Sequence, residues 1–307
     1  MWLRSILILL FQFIPGAFAK AEPASSEQTF LFQGIERQYV LVRPANKAGP
    51  VPIVVALHGL GESVGDLRRS WTMDAVAERD GFAVLYPMAL GGRWSYVAAR
   101  AVPLPDASGT VDDIGFILGL LDWLSDRRIL DPARIYVSGI SNGGLMAWSL
   151  ACQASDRFAA IAPIITGMVD RQTEQCNPSR LAPLLVIAGT EDWVQSYDGA
   201  MGPNYRLLSI PETLEFWRRQ RACVGFDMTA APQRQGVADT TRAVLVIWKD
   251  CKDSSPQRFW RIEGGGHSLP SMRPLSDREQ ARGPHGARSQ AIETAEEIWR
   301  FFATARR

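Results

Sequence analysis

Short apolar runs recur along the chain, and each ends at a glycine, a proline or a polar turn. Val51 to Leu57, Phe82 to Tyr86, Ile135 to Val137, Phe158 to Ile165 and Leu184 to Ala188 lack polar alternation. Runs of that length without alternation predict strands covered on both faces, as in a parallel sheet. Between them the apolar spacing becomes helical. Ser70 to Asp80, Ile114 to Asp126, Leu145 to Leu150, Glu212 to Arg221 and Ala291 to Thr304 each carry an apolar stripe or a run of helix formers. Gln38 to Arg43 alternates and stops at Pro44, and Ala243 to Trp248 and Arg258 to Ile262 predict two further strands. Asp112 and Asp113 stand where helix caps are favoured, and Asp131-Pro132 is expected to break the chain before the Ile135 strand. The repeated strand–helix exchange predicts one doubly wound, mostly parallel α/β domain over residues 29–307, after a segment 1–19 and a polar leader 20–28.

One of these junctions carries chemistry. The Ile135 strand runs into Gly139-Ile-Ser141-Asn142-Gly143-Gly144 and then into helix formers. A serine at the apex of a strand–turn–helix junction is a nucleophile elbow, and the glycines beside it let neighbouring backbone come close. Ser141 is therefore the candidate nucleophile, and the Asn142 N–H, opening the helix, is a candidate oxyanion donor. The Val51 strand ends in His58-Gly59-Leu60, which makes the Leu60 N–H the candidate second donor and His58 a loop-shaping residue. Past the Leu184 strand lies Gly189-Thr-Glu-Asp192. Asp192 is the expected orienting carboxylate, with Glu191 and Asp198 as alternatives. Of three histidines, His267 follows a strand and three glycines, so it is the expected base, with His285 as the alternative.

Composition narrows the setting. Lys+Arg 33 against Asp+Glu 32 gives a net charge of +1, which argues against nucleic acid or an anionic membrane as the main partner. Arg4, the apolar run Ile6 to Ile14 and the small-x-small site Ala17-Phe18-Ala19 read as an export signal, too short for a stable membrane anchor, with a mature chain from about Lys20. The four cysteines all follow that signal, and in an exported protein they suggest two disulfides. Four cysteines allow three pairings; pairing sequence neighbours joins Cys152 to Cys176 and Cys223 to Cys251. Their spacing fits no zinc site, and no metal or organic cofactor is expected.

With these residues in place the chain resembles the α/β-hydrolase esterases of the polyhydroxybutyrate depolymerase-like family, which include feruloyl and acetylxylan esterases. The resemblance rests on Ala56-Leu-His-Gly59, Ile135 to Gly144, Gly189-Thr-Glu-Asp192, Gly264-Gly-Gly-His267 and Ala295 to Phe302. It implies a triad of Ser141, Asp192 and His267. The chain departs from the family's common pattern at Leu60, Ala188 and Ser268-Leu269-Pro-Ser271. Trp94 and Leu269, with the loop Val97 to Thr110, are expected to wall an apolar substrate pocket for a small or oligomeric ester. A peptidase on the same fold, or a binding protein on a hydrolase scaffold, are the rival readings.

Overall fold

The computed structural model describes residues 26–97, 110–233, 237, 239–252, 255–274 and 285–307. Residues 1–25, which include the expected export signal, and nearly all of the Val97 to Thr110 loop lie outside the described residues. The strands are β1 Glu27–Phe32, β2 Ile35–Val42, β3 Val51–Leu57, β4 Ala83–Pro87, β5 Leu130–Ile140, β6 Ala160–Ile164, β7 Leu184–Gly189, β8 Ala200–Met201, β9 Arg206–Leu207, β10 Gly225–Ala230, β11 Arg242–Lys249 and β12 Gln257–Glu263. The helices are α1 Val64–Trp71, α2 Met73–Asp80, α3 Asp113–Asp126, α4 Asn142–Gln153, α5 Asp170–Glu174, α6 Ile210–Arg221 and α7 Thr294–Phe302.

A 10-stranded sheet runs β1-β2-β4-β3-β5-β6-β7-β12-β11-β10. From β4 to β12 neighbours pair in parallel; the β1-β2-β4 and β12-β11-β10 wings are antiparallel. Unbroken apolar runs build this block because side chains alternate faces and both faces are covered. In β3, Ile53, Val55 and Leu57 join one core with Phe116, Trp148 and Leu214, whereas Val54 and Ala56 join the other with Leu67, Val76 and Ile298. Thus α3, α4 and α6 cover one face, and α1, α2 and α7 the other.

Several boundaries differ from the sequence expectation. The helix expected over Ser70 to Asp80 is the end of α1 plus α2, separated at Thr72, whose φ of 55° is left-handed. That break lets Trp71 and Met73 both enter the same core. β1 begins inside the expected polar leader, and β5 starts at Leu130, running through Pro132 with a register shift against β3. Only Asp112 caps α3, accepting from the Gly115 N–H at 2.8 Å. Asp113 is instead fully buried, paired with Arg37 and accepting from the Ser95 N–H.

The structure joins Cys152 to Cys176 and Cys223 to Cys251. The first ties the end of α4 to the segment after α5, and the second ties the end of α6 to the turn after β11.

Candidate active site

Three strand ends build the site. At the end of β5, Ser141 adopts φ 53° and ψ −113°, a strained turn for a residue with a side chain. The strain is held from both sides: the Ser141 N–H donates to the Ile164 carbonyl at 3.0 Å, and the Ser141 carbonyl accepts from the Leu145 N–H at 2.9 Å. A Cβ on Gly139 would overlap the Gly143 backbone, and one on Gly143 would overlap the carbonyls of Leu57 and His58. These glycines therefore let the elbow press against the end of β3.

At that end His58 is buried. Its Nδ1 lies 2.7 Å from the Gly59 carbonyl and its Nε2 accepts from the Ala89 N–H at 3.1 Å, which fixes a neutral ring protonated on Nδ1. Burial holds its pKa below the usual histidine range, against the pull of the Gly59 hydrogen bond. His58 thus shapes the turn and carries Gly59 and Leu60 to the cleft. Gly59 donates its N–H to Glu62, and Leu60 is 66% exposed at the mouth.

Asp192 follows β7 and His267 follows β12, strands that are direct neighbours in the sheet. His267 Nδ1 lies 2.7 Å from Asp192 Oδ2. The other oxygen, Oδ1, accepts from the N–H groups of Val194 and Gln195, both at 2.9 Å. The carboxylate is buried and the imidazole only partly so. A carboxylate held by two backbone donors has one oxygen left to receive the ring N–H, which leaves Nε2 as the acceptor. Among the described residues neither Glu191 nor Asp198 bonds the ring. His285 does not replace it: its ring lies parallel to Trp193 at 5.9 Å, while its carbonyl accepts the His267 N–H. Gly266 permits that approach, since a Cβ there would overlap His285 and Gly286.

A cavity of about 1020 Å³ is lined by Ser141, Asn142, His267, Leu60 and Leu269, with Leu145 and Arg93 in its wall. Trp94 is elsewhere. It is fully buried and is not part of the lining, contrary to the sequence expectation. Its indole N–H donates to the His58 carbonyl at 3.0 Å, and its backbone N–H donates to Asn142 Oδ1 at 2.9 Å. Trp94 therefore bridges the β3 turn and the elbow, and it is half of a contact that sequence reading missed. The partner was visible as an amide side chain at the elbow, but nothing local names the residue it receives. The two donors to Asp192 were closer to legible, because an aspartate accepting from the second and third following N–H groups is a common turn motif.

The sheet order and the serine at the β5–α4 turn define an α/β hydrolase. Residues 38–176 match the family model described as esterase PHB depolymerase. NocK of Nocardia uniformis subsp. tsuyamanensis is 29% identical over 274 residues, which span 81% of this chain and 75% of NocK. The bifunctional acetylxylan esterase/xylanase XynS20E of Neocallimastix patriciarum is 25% identical over 80% of this chain, and the match spans 33% of that protein. The solved acetyl xylan esterase from Aspergillus awamori has the same fold, with a TM-score of 0.61 over 91% of this chain and 99% of its own, at 16% identity. The relatives and the solved structure that match along most of this chain are named as esterases, and the chain is similar to them in sequence and in fold.

Proposed function

We propose that this protein is an exported serine esterase acting through Ser141, His267 and Asp192. The observation that carries the reading is the Asp192–His267 hydrogen bond, set beside a cleft that both Ser141 and His267 line. His267 Nε2 takes the Ser141 hydroxyl proton as Oγ attacks the ester carbonyl. Asp192 keeps the ring in the required tautomer and offsets its positive charge. The oxyanion is received by the N–H groups of Leu60 and Asn142; the latter is among the N–H groups at the start of α4 that have no partner within the helix. His267 then protonates the departing alkoxide, and water cleaves the acyl-enzyme by the same steps.

The substrates are soluble esters with short aliphatic, 3-hydroxyacyl or aryl acyl groups. The supporting feature is an apolar wall of Leu145 and Leu269 beside the serine. Export is supported by two disulfides, and no helix among the described residues is long and apolar enough to cross a membrane. In this reading the mature chain begins near Lys20, which N-terminal sequencing of the exported protein tests.

A fluorophosphonate probe tests the chemistry. It should label Ser141, and Ser141→Ala should abolish both labelling and ester hydrolysis while folding normally. Hydrolysis of p-nitrophenyl esters from acetate to palmitate, with methyl ferulate, tests the acyl preference. A kcat/KM maximum at palmitate would overturn the pocket reading and leave the nucleophile in place.

A further inference from the structure

We propose that Arg93 makes this cleft selective for esters that carry a carboxylate. The inference rests on the serine-esterase reading and adds the substrate's charge to it. Arg93 is half-buried and lines the same cleft as Ser141 and His267. Its place in the chain is fixed on both sides. The Gly92 carbonyl accepts from the Gly61 N–H at 2.9 Å, and the Trp94 N–H donates to Asn142 Oδ1. The guanidinium is thus carried on backbone that is tied both to the turn after β3 and to the elbow.

The other charged groups in the lining are engaged. Asp66 accepts from Ser63 and Arg69, Glu62 accepts the Gly59 N–H, and Arg288 donates to the Arg273 carbonyl. Among the described residues, the Arg93 guanidinium has neither a carboxylate at salt-bridge distance nor a hydrogen-bond acceptor. Arg79 and Arg219, on the open surface, by contrast hold carboxylates. A guanidinium stays charged at any working pH, and its planar fork matches a carboxylate with two parallel hydrogen bonds. In a cleft such a pair is shielded from part of the solvent that weakens it at the surface. A bound substrate can supply the missing anion. The chemistry is a free carboxylate on the ester, borne either by the acyl group or by the leaving alcohol.

Matched pairs separate these two sources. Monoethyl glutarate against ethyl pentanoate places the charge on the acyl side; O-butyrylglycolate against propyl butanoate places it on the alcohol side. The expected result is a kcat/KM preference of about tenfold for the anion in one arm, the size of a charge-assisted hydrogen bond in a half-exposed site. In Arg93→Gln the ratio should fall to about one, through KM more than kcat. Arg93→Lys, which keeps the charge without the fork, should retain part of it. Glutarate should also inhibit hydrolysis of ethyl pentanoate competitively by the wild type, a measurement that needs no variant to fold. A ratio near one in both arms, a preference that survives in Arg93→Gln, or no inhibition by glutarate would overturn the inference while the esterase reading stands. If the wild type turns over none of the four esters, the esterase reading falls and this inference falls with it.

Discussion

The backbone N–H of Trp94 donates to Oδ1 of Asn142 at 2.9 Å, and this bond ties the loop after β4 to the first residue of the elbow helix. Because the same tryptophan also holds the His58 carbonyl, it sets the distance between the two turns that carry Leu60 and Asn142. In the proposed mechanism its contribution is one of spacing.

Trp94→Phe keeps the ring and removes the indole donor. We expect kcat to fall about tenfold, less than the loss of a whole oxyanion donor, with KM changed by less than about twofold. Steady-state kinetics on one short ester checks this. A fall in stability with unchanged kcat would make Trp94 only a packing residue.

Asp192→Asn should lower kcat by about 10³ to 10⁴, since an amide in that position favours the wrong histidine tautomer. His267→Ala should abolish turnover and His285→Ala should leave most of it, because the His285 ring lies against Trp193 and not against Asp192. Equal losses from both histidine variants would refute the assignment of the base.

Reduction of the two disulfides should lower thermal stability. Each closes a loop of a few tens of residues, and the chain-entropy model gives about 3 kcal/mol apiece. Non-reducing peptide mapping should recover Cys152–Cys176 and Cys223–Cys251; crossed pairs or four free thiols would contradict it.

His58 should leave a mark on acid stability. Burial lowers its folded-state pKa below the unfolded value, so above about pH 6.5 both states are neutral and the native contacts carry no protonation penalty. As pH falls below that, the unfolded chain binds a proton that the folded ring resists, and stability declines towards the lower folded pKa. The melting temperature between pH 8 and 5 should therefore drop more steeply for the wild type than for His58→Gln. Parallel curves would mean the ring titrates freely in the fold.

What the sequence made legible follows from burial. β3, β6 and β7 lie between two layers of helix, so their residues are uniformly apolar and stand out as runs. The sheet wings were harder to read. β10 presents Phe226, Asp227, Met228 and Thr229 all to solvent, so no burial pattern marks it as a strand. β1 alternates half-buried and exposed positions, and its first two residues, Glu27 and Gln28, read as the end of the polar leader. The elbow and the Gly-Gly-Gly-His loop were visible because close backbone approach demands glycine. Asp113 was misread because an aspartate at a helix start usually caps it, and only the fold reveals the buried Arg37 beside it. Trp94 was misread for a similar reason: its neighbours in sequence say nothing of the two turns it bridges.

Asp192 and His267 lie 75 residues apart in the chain, yet the strands that carry them are adjacent in the sheet. Between β7 and β12 the chain leaves the sheet through the β8–β9 hairpin and α6, then re-enters at its edge as β10 and β11 before β12 lies down beside β7. Length can therefore be gained or lost in that excursion without separating Asp192 from His267. Val194, Gln195, Tyr205 and Leu207 from the same excursion line the cleft. This architecture lets the segments that line the cleft change in length without disturbing the Asp192–His267 hydrogen bond.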